Sequence, residues 1–252
     1  MCGKYSGFGE DVPSTEILGL SYFGGTLCDA VRLSRPYLET RTPLAVFTPG
    51  ATLAARAARD KDFFSLLKQG DLLLPDGCGC RLAARLAGKR LGGRIAGIDF
   101  AEALFGAAEE FSARVFLYGA EAGIAERAAR HLRAKYPRLI FAAASGYGAD
   151  PYERISAFCP HIVCVCLGAE KQERWILAHR ARVGGILIGL GGSIDVWGEK
   201  IRRAPRFLQR VGLEWAYRTL REPRRLPRLF PLPAYFGKCL LSRRWSKCQK
   251  KE

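Results

Sequence analysis

Five short stretches of nearly uninterrupted apolar residues punctuate the chain, at positions 44–48, 71–74, 114–118, 161–167 and 185–189. They run 4 to 7 residues, are mostly rich in aliphatic or β-branched side chains, and several end at glycine or proline. Segments of that length and composition predict buried strands. Continuous rather than alternating apolar character predicts parallel strands covered on both faces. Between them, residues 52–68, 80–87, 121–135 and 171–182 are rich in Ala, Arg and Leu and free of proline, which predicts helices. Strand and helix alternating at this spacing predict an α/β domain with a mainly parallel sheet and helices on both faces. No segment repeats with a period of about 20–50 residues, which excludes a solenoid.

The pattern changes near Lys200. Beyond it prolines recur at 205, 223, 227, 231 and 233, and arginines crowd in. Two units are therefore expected: an α/β domain over 1–199 and a basic helical appendage over 200–252. Residues 205–222 contain no internal proline and predict a helix with Pro205 in its first turn. At 100° per residue, Arg206, Arg210, Glu214, Arg218 and Arg221 fall within about 120° of one another. Leu208, Val211, Trp215 and Leu220 occupy the opposite arc, although Phe207 and Tyr217 intrude on the charged side. Such a helix can lie in a membrane interface or pack its apolar face on the main domain, and both readings stay open here.

Charge sharpens this division. The chain has 252 residues and a formal net charge of +16. Residues 200–252 hold 16 Lys and Arg against 3 acidic residues, whereas residues 1–199 hold 24 against 21. The excess in the last fifth points to an anionic partner for that segment, either a membrane surface or a nucleic acid. Confinement of the charge and the lack of a recognisable RNA-binding motif argue against nucleic acid. No apolar run reaches the roughly 20 residues needed to span a bilayer, and the first 16 residues lack the apolar core of a secretory signal. A cytoplasmic protein, peripheral on the inner face of the membrane, is expected. Nine cysteines include no Cys-x-x-Cys, and with the three histidines they form no zinc-like spacing. Cys164 and Cys166 read as small buried side chains of a strand, in the thiol form.

In a parallel sheet, ligands bind beyond the carboxyl ends of the strands. Thr48-Pro-Gly50, Pro75-Asp-Gly-Cys-Gly79, Gly119-Ala-Glu-Ala-Gly123, Gly168-Ala-Glu-Lys-Gln-Glu173 and Gly189-Leu-Gly-Gly-Ser-Ile-Asp195 all fall there. Glycine lets backbone approach a phosphate, but it is also routine at such turns. Gly119 and Gly123 make neither a Walker loop nor a full dinucleotide fingerprint, which argues against an NAD-dependent oxidoreductase. Asp76 follows an apolar strand, where desolvation suits a carboxylate to act as a base; it could equally cap the helix beginning near Cys78.

These segments, taken in order, resemble the WecG/TagA/CpsF glycosyltransferases from about residue 18 to 230. The resemblance rests on Thr48-Pro-Gly50, Leu74-Pro-Asp-Gly-Cys-Gly79, Arg94-Ile-Ala-Gly-Ile-Asp-Phe100 and Phe116-Leu-Tyr-Gly-Ala-Glu-Ala-Gly123. It continues through Gly168-Ala-Glu-Lys-Gln-Glu-Arg-Trp175, Gly191-Gly-Ser-Ile-Asp195, Arg203-Ala-Pro205, Leu213-Glu-Trp-Ala-Tyr-Arg218 and Glu222-Pro-Arg-Arg225. It implies a Rossmann-like domain and transfer of N-acetylmannosamine, or its uronic acid, from a UDP-sugar with inversion at the anomeric carbon. The implied acceptor is N-acetylglucosamine linked through diphosphate to undecaprenol, in teichoic acid or other cell-surface polysaccharide synthesis. No metal or other cofactor is implied, which agrees with the lack of an Asp-x-Asp pair at a strand end.

By position, the resemblance makes Asp76 the catalytic base and assigns Thr48, Arg94 and Gln172 to the active site. It gives substrate contacts to Gly119, Gly123, Gly168, Lys171, Gly192, Asp195 and Arg203. Arg218, Arg225 and Arg228 match arginines of an appendage that closes over the site and meets the membrane. The chain departs from the family at Gly50, where Asn is common, and at Glu170, where Pro is common. Exposed apolar faces could also serve a homo-oligomer.

Overall fold

The computed structural model describes residues 13–210 and 214–248. An antiparallel hairpin opens it, β1 (Ser14–Ile17) and β2 (Leu20–Phe23). Leu18 and Gly19 both take positive φ, 46° and 83°, which suits the twist of a two-residue hairpin turn. Helix α1 (Leu27–Thr40) begins at a reciprocal Thr26–Asp29 capping box. Pro36 in its interior is the reason its sequence reads poorly as a helix.

Strand β3 (Leu44–Phe47) leads into α2 (Ala51–Ala57) and α3 (Lys61–Lys68). The continuous helix expected over 52–68 is therefore two. Asp60 accepts a hydrogen bond from the Phe63 N–H at 2.9 Å and starts α3 afresh. Then come β4 (Leu72–Leu73), α4 (Cys78–Leu86), α5 (Gly97–Ala108), β5 (Arg114–Gly119) and α6 (Ile124–Lys135). β6 (Ile140–Ala144), α7 (Tyr152–Phe158), β7 (Ile162–Cys166), α8 (Lys171–Val183), β8 (Ile186–Gly189) and the short α9 (Ser193–Trp197) complete the α/β part.

Six strands, β3 to β8, form one sheet in the order β4-β3-β8-β7-β5-β6, and every adjacent pair is parallel. Strand side chains alternate between two cores. Val46, Val115, Leu117, Cys164 and Ile188 face one, and Phe47, Phe116, Val163, Val165 and Leu187 face the other. Both faces are covered by helices, which explains the unbroken apolar runs. Gly119 has φ of +141°, and a Cβ there would lie 2.4 Å from the Cys166 carbonyl oxygen. Close strand packing thus requires glycine at that position.

After α9 the chain forms α10 (Arg206–Arg210), α11 (Glu214–Arg221), a 3-10 segment (Pro223–Arg228) and α12 (Leu232–Cys248). The helix expected over 205–222 is represented by α10 and α11; residues 211–213 lie outside the described residues. Helix α12 lies against α2 and α4. Tyr235 and Cys239 are buried in the same core as Cys80 and Ala83, and Lys238 Nζ donates to the Ala58 carbonyl at 3.0 Å.

Two predictions follow from burial. Cys80, Cys164 and Cys166 are buried, and burial pushes the Cys166 thiol up to about 12 and the other two upward as well. Maleimide at mildly alkaline pH is expected to label exposed Cys28 and Cys159 in the native protein and these three only after unfolding, as read by peptide mass mapping. His161 Nδ1 accepts a hydrogen bond from the Arg114 backbone N–H at 3.1 Å. Burial, then the charges of Arg41 and Arg114, lower its pKa below 6.5. The unfolded chain therefore takes up a proton first as pH falls below about 6.5, and native stability declines there, towards the lower folded-state value. His161→Gln is expected to flatten this slope in a series of thermal melts.

Candidate active site

The carboxyl ends of β3, β4 and β8 are tied together before any cavity forms. Thr48 Oγ1 donates to the Gly189 carbonyl at 2.7 Å, joining the loops after β3 and β8. The Leu74 N–H donates to the Phe47 carbonyl at 2.8 Å, carrying the β4 chain alongside β3 as far as Pro75. The Ile95 N–H donates to the Pro75 carbonyl at 3.1 Å and brings Arg94 to the same edge. Cys80 lies within 3.4 Å of both the Pro49 and Asp76 carbonyls, so its thiol can donate to either loop.

Above this floor lies a cavity of about 700 Å³. Thr48, Thr52, Asp76, Cys78, Arg94 and Ser193 are among its polar lining residues, with the backbone of Gly50 beside them. Leu82 of α4 and Trp215, Leu229, Leu232, Pro233 and Phe236 of the C-terminal part supply large apolar side chains, and Glu214, Thr219 and Arg228 join them from that C-terminal part. Asp76 is half-buried, and Gly77, not Asp76, is the N-cap residue of α4, with φ of 82°. A Cβ on Gly50 would lie 3.1 Å from the Asp76 carbonyl oxygen, so the backbone of the two loops meets closely there.

Arg94 is engaged by the chain's C-terminal part. Its Nη1 donates to the Gln209 carbonyl at 2.8 Å, and its Nη2 to Glu214 Oε2 at 2.6 Å. The Glu214 carboxylate also stands 4.0 Å from Arg203 Nε, while Arg203 Nη1 pairs with Asp99 Oδ1 at 2.7 Å. Burial opposes the charge on Arg203, but Asp99, Glu214 and Glu102 outweigh it and hold the guanidinium above its ordinary value. Arg94 Nε, Arg203 Nε and Arg203 Nη2 are buried with no hydrogen-bond acceptor among the described residues. The side chains of Arg94 and Glu214 are only 18% and 13% exposed. Removing one partner of a pair so shielded costs on the order of 3–5 kcal/mol.

Gln172, Gly119, Gly123, Gly168, Lys171, Gly192, Asp195 and Arg203 are not among the residues that line the cavity. Gln172 is 3% exposed. Its Oε1 accepts from the Gly191 N–H at 2.9 Å, and its Nε2 donates to Glu173 Oε1 at 2.8 Å. It shapes the turn after β8 from beneath, on a buried Glu173 whose pKa burial raises. Gly119 closes β5, and Gly123 and Gly168 sit in the turns after β5 and β7, all three with positive φ. Lys171 is exposed at the start of α8. Gly192 is the N-cap residue of α9, which carries Asp195. These six occupy the same sheet edge as the cavity, over β5, β7 and β8. Glu170 has φ of 72° and pairs with Arg56 and Arg174. Arg228 lines the cavity; the side chains of Arg218 and Arg225 lie outside the described residues. Glu214, Trp215, Ser193 and Cys78 line it without having been assigned a role from sequence. Glu214 and Trp215 do stand within the recognised Leu213-Glu-Trp-Ala-Tyr-Arg218 segment, which was the available signal.

A protein of Bacillus subtilis (strain 168), an N-acetylglucosaminyldiphosphoundecaprenol N-acetyl-beta-D-mannosaminyltransferase, is 34% identical over 208 residues, covering 81% of each chain. A protein of the same name from Staphylococcus aureus (strain MW2) is 28% identical over 248 residues, covering 96% of this chain and 98% of its own. The family model for the WecG/TagA/CpsF glycosyl transferases matches residues 15–249, and the chain belongs to that family.

Proposed function

We infer that the chain transfers N-acetylmannosamine, or its uronic acid, from a UDP-sugar to undecaprenyl-diphosphate-linked N-acetylglucosamine, with inversion. The observation that carries this reading is the cavity at the carboxyl edge, where Asp76, Thr48 and Arg94 meet large apolar side chains. The relatives' names supply the sugar and the acceptor. A lining that combines polar side chains with apolar ones suits a substrate that joins a sugar diphosphate to a polyprenyl chain. In this reading the acceptor hydroxyl attacks the anomeric carbon as Asp76 takes its proton. The bond from that carbon to the UDP oxygen breaks on the opposite face, and its electron pair leaves with UDP. Arginines offset the charge that develops on the departing diphosphate. The glycine turns after β5, β7 and β8 bring backbone to the edge where a nucleotide would lie, with Lys171 and Asp195 beside them.

No helix among the described residues is long and apolar enough to cross a membrane. Phe207, Leu220, Phe230 and Leu241 are nevertheless 62–82% exposed in the most basic part of the chain. Apolar side chains among cations suit a peripheral contact with an anionic bilayer on the cytoplasmic side.

Asp76→Asn is expected to lower transfer by about 10²–10⁴, the usual contribution of a general base, while UDP still binds. A radiolabelled transfer assay beside calorimetric titration checks this, and wild-type turnover in the variant would reject the base. Vesicles containing phosphatidylglycerol are expected to bind the protein at low salt and release it as salt rises. Tight binding to RNA without any vesicle binding would reject the membrane contact.

A further inference from the structure

The large apolar side chains Trp215, Leu229, Leu232 and Phe236 of the cavity, and Arg228 with them, come from chain that follows the last strand, and one carboxylate fastens that chain to the rim. Both terminal nitrogens of Arg94 are held by it, one by the Gln209 carbonyl and one by Glu214. Arg94 itself stands in a segment without helix or strand, between α4 and α5. Its guanidinium is therefore oriented from the C-terminal side. The same carboxylate faces Arg203, which Asp99 of α5 holds in turn. Trp215, adjacent to Glu214, and Thr219, one turn further along α11, both line the cavity.

We propose that Glu214 is a positioning residue: shared between Arg94 and Arg203, it sets the Arg94 guanidinium in the cavity that holds Asp76 and keeps Trp215 and Arg228 in its lining. Glu214 touches no reacting atom in this scheme. It couples seating of the C-terminal segment to completion of the cavity. The kinetic part rests on the transferase reading above; the seating part does not.

The test uses the full-length chain carrying Glu214→Ala and Glu214→Gln, with the latter keeping the side chain's size and losing its charge. Without substrates, trypsin is expected to cut at Arg221 to Arg228 about fivefold faster or more in Glu214→Ala than in wild type, with Glu214→Gln in between. With UDP-N-acetylmannosamine and a short-chain prenyl-diphosphate N-acetylglucosamine, kcat/KM is expected to fall about tenfold or more, with a rise in acceptor KM. Because Glu214 and Arg228 act through one segment, the double variant Glu214→Ala/Arg228→Ala is expected within about threefold of the worse single variant. Unchanged trypsin cleavage in both variants, unchanged kcat/KM, fully additive losses, or tighter UDP binding on removing the carboxylate would each overturn the proposal. Tighter UDP binding would mean that Glu214 competes with the diphosphate for Arg94. If the wild type transfers no sugar with these substrates, the transferase reading fails, and the trypsin measurement still decides whether Glu214 seats the segment.

Discussion

Parallel strands must all end on the same edge, and each needs a crossover to return the chain to the opposite one. That constraint organises this protein. The loops after β3, β4 and β8 come from residues far apart in sequence, yet they are held within hydrogen-bond reach. Thr48 binds the Gly189 carbonyl, and Cys80 lies against both Pro49 and Asp76. The cavity is a product of sheet order. Strands β3 and β8 are neighbours, and β4 lies beyond β3, so Thr48, Asp76 and Ser193 converge without any long insertion.

The floor alone would be an open shelf. Its enclosure comes from residues after 200, where a cluster of two arginines and two carboxylates joins three segments. Arg94 and Arg203 are largely shielded, so their charges need Glu214 and Asp99 close by. Three of their N–H groups still lack an acceptor among the described residues, in contrast to the well-satisfied loops below. The polar attachment therefore joins the C-terminal part to the floor, and the apolar contacts of α12 secure it beyond.

Much of this was legible in the chain itself. Unbroken aliphatic runs gave away β3, β5, β7 and β8, because strands covered on both faces need no polar alternation. β6 escaped because Ala142, Ala143 and Ala144 carry little β signal, and α1 because of Pro36. α12 was hidden among prolines 231 and 233 and scattered cations. At the site, Asp76, Thr48 and Arg94 were marked by motif, and all three line one cavity. Motif spacing could not say that Gln172 would turn inward to bind the Gly191 N–H, since lining and supporting positions share the same strand end. Nor could it single out Glu214, whose importance lies in an ion pair spanning 120 residues.

The last fifth of the chain is fastened at two places. Arg94 grips it at Gln209 and Glu214, and farther along Tyr235 and Cys239 are sunk into the core. Fully burying one large side chain of that kind contributes about 1.5–3 kcal/mol. A strap anchored at both ends can arch outward but cannot swing aside like a door. Any parting between those two anchors is therefore a bowing of the intervening chain and not a hinged swing of the whole segment.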